Sequence, residues 1–163
     1  MAQNPYPALY TPEQRRRRDA SRWTLVQGVL APVQFLICIV SAALVIRFLM
    51  TGEGYMAATI SVLAKTLALY TIMVTGAIWE KEVFGQYLLA PAFFWEDVVS
   101  FGVIALHTWY LVALFMGAMT PDSLMLLALV AYVAYVINAI QFVWKLRMAR
   151  LGAQAVAGQQ VSA

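Results

Sequence analysis

Four carboxylates in two clusters hold most of the chemistry open to this sequence: Glu80 and Glu82, then Glu96 and Asp97. They are half of the chain's eight acidic residues. Trp79 precedes the first cluster and Trp95 the second. An apolar run leads into this stretch and another leads out of it. Carboxylates beside hydrocarbon are costly unless they are paired, solvated or used. A carboxylic acid near hydrocarbon holds its proton more readily than one in water. Such a group can protonate a weak base, for example a conjugated alkene. A second carboxylate, kept ionised by lysine or water, can then activate a water molecule. The competing reading is an interfacial ion-pair network across a loop, and the residues alone leave both open.

Other chemistries are excluded. One histidine and one cysteine cannot build a protein zinc site, and Cys38 has no partner for an internal disulfide. No Gly-x-Ser-x-Gly elbow and no phosphate loop occur. Gly52-x-Gly54-x-x-Ala57 imitates a dinucleotide fingerprint, but it follows an apolar helix and no strand, so that reading fails.

The elements that must position these groups are membrane helices. The chain has 163 residues, 63% hydrophobic and 12% charged. A soluble domain carries about 25% charge. The fold class is therefore all-α, a polytopic membrane protein with four transmembrane helices in a bundle. Residues 1–10 read as an irregular tail. Residues 11–150 form the four-helix domain with a basic N-terminal extension, and 151–163 read as a disordered tail. Thr11-Pro12-Glu13-Gln14 is a helix start with a capping box. The spans are expected at 23–50, 55–79, 92–116 and 123–145, with a connector over 81–91. Thr51-Gly52-Glu53-Gly54 and Thr120-Pro121-Asp122 mark the other turns.

Each span carries a polar stripe at helical spacing. In the first, Gln27, Gln34, Cys38 and Ser41 line up, most simply for interhelical hydrogen bonds. In the second, Ala58, Ser61, Lys65 and Gly76 share a face, with Glu80 within about 60° of Lys65. Lys65 lies well inside the span. Function or buried pairing competes there with snorkelling to the nearer surface. In the third, Glu96, Ser100, His107 and Tyr110 lie within roughly 80°. In the fourth, Tyr135, Asn138, Gln141 and Lys145 occupy about 120°. His107 has three readings: a satisfied bundle contact, a proton relay, or an axial ligand to the metal of a tetrapyrrole.

Lys and Arg fix the expected orientation. Arg15, Arg16, Arg17, Arg18, Arg22, Lys81, Lys145, Arg147 and Arg150 fall on the N-terminal, connector and C-terminal side, and only Arg47 lies near the opposite turns. The positive-inside rule puts both termini and the connector in the cytoplasm. The basic block reads as a topology signal and not as a nucleic-acid site.

Long segments then resemble a known family. They include Leu9-Tyr10-Thr11-Pro12-Glu13-Gln14 with its arginine run, and Trp23 to Pro32. They continue with Thr71 through Trp79-Glu80-Lys81-Glu82-Val83-Phe84-Gly85-Gln86-Tyr87, and Ala90-Pro91-Ala92-Phe93-Phe94-Trp95-Glu96-Asp97 through Ser100. The chain resembles the 2-vinyl bacteriochlorophyllide hydratase family of bacteriochlorophyll synthesis. The resemblance implies a hydro-lyase that adds water to a chlorophyllide vinyl group to give a 1-hydroxyethyl group. It implies no cofactor, because magnesium arrives with the substrate, and no protein-held metal. The implied setting is a bacterial inner membrane, cytoplasmic or intracytoplasmic photosynthetic. Expected partners are the tetrapyrrole substrate and the lipid bilayer, with other pigment-biosynthesis enzymes or a second copy of the chain as further candidates. The alternative is a non-catalytic pigment-binding or assembly protein.

The site residues are inferred from the sequence itself. Glu80 and Glu96 are expected as the catalytic pair, supported by Glu82 and Asp97. His107, Lys65, Trp79, Trp95, Tyr87, Asn138 and Gln141 are expected to bind substrate, with His107 the candidate ligand of its magnesium.

Overall fold

The computed structural model describes the backbone of residues 9–161 and side chains through residue 154. Five helices follow one another: α1 (Pro12–Ala20), α2 (Arg22–Thr51), α3 (Tyr55–Phe84), α4 (Phe94–Met116) and α5 (Pro121–Val161). The last four are long and apolar enough to cross a membrane. At about 1.5 Å per residue, the 30 residues of α2 or of α3 exceed the roughly 30 Å of hydrocarbon they must span. Their outer faces expose Leu36, Val40, Leu67, Phe115 and Val133, side chains suited to lipid.

Local sequence explains most boundaries. Thr11 caps α1: its hydroxyl accepts from the Gln14 amide, and the Gln14 side chain accepts from the Thr11 amide. Ser21 ends α1 in extended conformation and caps α2 through the Trp23 amide, so the basic helix is a separate element bent off the first span. Gly85, at φ 89°, stops α3. The helix thus runs five residues beyond the expected end at Trp79, and the connector shortens to 85–93. Thr120 caps α5, accepting from the Ser123 amide. Leu9 and Tyr10 form a bend ahead of α1, and the rest of the expected N-terminal tail lies outside the described residues. At the other end α5 stays helical through Val161, where a disordered tail from Leu151 was expected. The Ala/Gln-rich sequence there has no breaker strong enough to end a helix already nucleated upstream.

The spans pack as two hairpins, α2 with α3 and α4 with α5, and contact between the hairpins is sparser. At the end near the Gly52 and Gly117 turns the hairpins close on a solid core of Val45, Val62, Tyr110 and Met125. Toward the connector they diverge. A second cluster forms there around Tyr10, Val83 and Phe93, with Trp79, Phe84 and Phe142 against it. This cluster and α1, which packs on α3, roof the gap between the hairpins.

Candidate active site

The gap is a cavity of about 1130 Å³. Ligand pockets commonly hold about 300–1000 Å³, so this one suits a large ligand. Its walls are mostly apolar and come from all five helices. Tyr10, Trp79, Phe93 and Phe142 supply aromatic surface, with Phe93 stacked on Phe142 at 5.8 Å between ring centroids. Burial pushes the Tyr10 phenol above its ordinary value, so it stays protonated. Polar groups are few: Thr24, Gln27, Gln34, Glu80, Asp97, Ser100, Tyr135 and Asn138, besides arginines at the mouth.

Glu80 and Asp97 form the reactive-looking feature. Glu80 lies in the last turns of α3 and Asp97 in the first turn of α4; both are buried and both line the cavity. Their carboxyl groups lie against one another, and two carboxyls so close favour sharing one proton over ionising together. The connector holds the pair from above. The Leu89 amide donates to Asp97 Oδ2 at 2.7 Å, and the Ala90 amide donates to Glu80 Oε2 at 3.2 Å. Leu89 has φ 59°, the left-handed region that a leucine rarely adopts. That conformation lets two successive amides face two carboxylates. Strained backbone of this kind tends to collect at functional sites.

Glu96 is placed differently from expectation. Neighbours on a helix point about 100° apart. Asp97 therefore meets Glu80 while Glu96 turns to α5 and pairs with Lys145 at 2.6 Å. Of the expected catalytic pair, Glu80 lines the cavity together with Asp97, whereas Glu96 is not among the cavity-lining residues. Its backbone carbonyl accepts from Asn138 Nδ2 at 2.9 Å and lies 2.8 Å from the Ser100 hydroxyl. That hydroxyl is also 3.0 Å from Asn138 Oδ1. Ser100 and Asn138 are thus held beside Asp97 as a fixed polar edge. Glu82 is exposed and accepts from the Ser21 hydroxyl at 2.6 Å, tying the α1–α2 joint to α3.

Among the expected binding residues, Trp79 and Asn138 line the cavity. The Trp79 indole donates to Thr24 Oγ1 at 2.9 Å, which fixes its plane. Trp95 and Tyr87 point outward and are largely exposed. The inward arc of the first α4 turn is already filled by Glu96 and Asp97, and exposed aromatics suit a membrane interface. Lys65 lies just behind the cavity floor, fully buried. Its ammonium sits 3.5 Å over the Tyr135 ring and donates to the Gln34 amide oxygen at 3.1 Å. Gln34 and Tyr135 both line the floor, so Lys65 orients them from outside. His107 is buried one turn below the cavity-lining Val103, with Nδ1 2.8 Å from the Val103 carbonyl. A carbonyl only accepts, so the proton sits on Nδ1. Its Nε2 has no partner among the described residues and does not reach the lining. Gln141 also lies off the lining.

Phe93, Phe142 and the mouth arginines were not singled out from sequence as site residues. Phe142 had a signal: it lies four residues after Asn138 and shares its face. Gly28 had another. Pro32 lacks the amide that would bond the Gly28 carbonyl, and Gly28 lines the cavity.

Fold and site together define a class: a multi-pass helical membrane protein whose bundle holds a large aromatic-walled cavity with a buried carboxyl pair at one end. Comparison with known proteins narrows this. The family model for 2-vinyl bacteriochlorophyllide hydratase matches residues 10–148. A curated 2-vinyl bacteriochlorophyllide hydratase of Rhodobacter capsulatus is 72% identical over 93% of this chain and 88% of its own length. That of Cereibacter sphaeroides is 69% identical over 93% of this chain and 94% of its own. The chain belongs to the 2-vinyl bacteriochlorophyllide hydratase family. No solved structure matches it.

Proposed function

We propose that this protein is a hydratase of bacteriochlorophyll biosynthesis, adding water across the vinyl group of a chlorophyllide-type tetrapyrrole. The observation that carries the chemistry is the Glu80–Asp97 carboxyl pair at the edge of an aromatic cavity large enough for a macrocycle. The protonated member gives its proton to the terminal vinyl carbon. The resulting cation lies beside the conjugated ring, which spreads the charge. Water adds at the carbon next to the ring and yields its proton to the ionised member. One proton has left the pair and one has returned, and sharing of that proton between the carboxyls resets their protonation. Ser100 and Asn138, fixed beside Asp97, are suited to hold the water. Trp79, Phe93 and Phe142 are suited to face the macrocycle.

The basic end of the bundle, with α1, the connector and the far half of α5, faces the cytoplasm under the positive-inside rule. The membrane is a bacterial inner or intracytoplasmic membrane, and substrate reaches the cavity without crossing it.

Membranes containing the protein, incubated with the vinyl pigment, should yield a more polar pigment heavier by one water. Binding of the pigment without that product would instead support a pigment-binding or assembly role.

A further inference from the structure

The arginines of the basic end divide into two groups. Arg15, Arg16 and Arg18 of α1 and Arg150 of α5 line the cavity; Arg17, Arg22 and Arg147 do not. Arg18 is engaged by Asp19 and lies over the Tyr10 ring. Arg17 pairs with Glu13. Arg15, Arg16 and Arg150 have no carboxylate partner among the described residues. Two separate helices thus bring unpaired guanidinium groups to the mouth of one mostly apolar cavity.

Neither helix is placed there by chance packing alone. Ser21 and Glu82 tie the base of α1 to α3, the Thr24 hydroxyl donates to the Arg18 carbonyl at 2.6 Å, and Tyr10 stacks on Phe84. At 41 residues α5 is about twice the length needed to span a bilayer, and Arg150 lies on the part that continues over the mouth. A guanidinium matches a carboxylate in shape and charge, with two parallel donors for two oxygens.

Resting on the hydratase reading, we propose that Arg15, Arg16 and Arg150 form a carboxylate-recognition site at the cavity mouth, which selects the free-acid pigment over its esterified form. The acid group is held at the mouth while the vinyl group lies at Glu80 and Asp97. An esterified pigment offers these arginines no charge.

The test compares a vinyl chlorophyllide with its methyl ester, in nanodiscs of phosphatidylcholine. Affinity is read from pigment fluorescence and turnover is measured separately. Wild-type protein should bind the acid about 10-fold more tightly than the ester, the size expected for one charge-assisted contact near solvent. Arg150→Gln and the double variant Arg15→Gln/Arg16→Gln should bring acid affinity down to that of the ester. Ester affinity, which these arginines do not serve, should stay unchanged. Arg150→Lys should restore part of the preference. Equal wild-type affinities would overturn the proposal, as would variants that weaken acid and ester alike. So would a preference that disappears when phosphatidylglycerol is added, because the arginines would then be ligands of lipid headgroups. If neither pigment is hydrated yet the arginine-dependent preference persists, the hydratase reading falls and the carboxylate site stands. If both are hydrated without preference, the carboxylate site falls and the hydratase reading stands.

Discussion

Exchanging one carboxylate for an amide should separate Glu80 and Asp97 from Glu96. In Glu80→Gln the side-chain volume is kept, and the amide oxygen can still accept from the Ala90 amide, now at 3.2 Å. In Asp97→Asn the oxygen can likewise keep the Leu89 amide bond. The connector therefore stays in place and stability changes little. The chemistry does not survive so well. An amide neither gives a proton to the vinyl carbon nor takes one from water, and loss of a general acid or base costs about 10²- to 10⁴-fold in rate. That is about 2.7–5.4 kcal/mol of transition-state stabilisation. Glu96→Gln does the reverse. It breaks the 2.6 Å pair with Lys145, whose side chains are 10% and 28% exposed, and should cost about 1–3 kcal/mol of stability. Turnover of the folded fraction should stay near wild type, because Glu96 does not line the cavity. The assay is hydration of the vinyl pigment by purified protein, normalised to pigment-binding sites, beside a thermal unfolding series. Near wild-type turnover in both Glu80→Gln and Asp97→Asn would refute the reasoning. So would a Glu96→Gln variant that binds pigment fully but has lost as much rate as Glu80→Gln.

A cysteine at Thr51 or Met119 should react with an impermeant thiol reagent from the periplasmic side, and labelling from the cytoplasm alone would reverse the orientation. His107→Ala should lower stability but leave the absorption band of bound pigment where it was; a shifted band would mean the imidazole reaches the magnesium despite lying below Val103. Lys65→Met nearly keeps length while removing a buried charge that has no carboxylate partner among the described residues, so stability should stay within about 1 kcal/mol of wild type or rise; loss of turnover in a stable Lys65→Met protein would give the lysine a chemical role. Glu82→Ala frees the α1–α2 joint from α3, and losing that bond, worth about 1 kcal/mol, should raise KM about fivefold with kcat kept; a fall in kcat at constant KM would place Glu82 in the chemistry.

The spans, their turns and their inward faces follow from sequence because each depends on local physics. Hydrocarbon demands unbroken apolar helices, Thr11 and Gln14 cap one another across three residues, and polar side chains at helical spacing must turn away from lipid. Gln34, Lys65, Ser100, His107 and Asn138 all face the bundle as their stripes required. The length and motif content of the chain likewise pointed to its family. What each carboxylate meets is a different kind of fact. Glu96 and Asp97 are adjacent in sequence, and nothing local says which one turns to α3. That is decided by where α4 begins, by Lys145 approaching from a helix 49 residues further on, and by a left-handed Leu89 that aims two amides at the pair. The arginines show the same division. Their charge placed them at one end of the bundle, but only the bend at Ser21 and the overlong α5 bring Arg15, Arg16 and Arg150 to one opening. Contacts between distant segments are set by packing, and packing is a property of the whole fold.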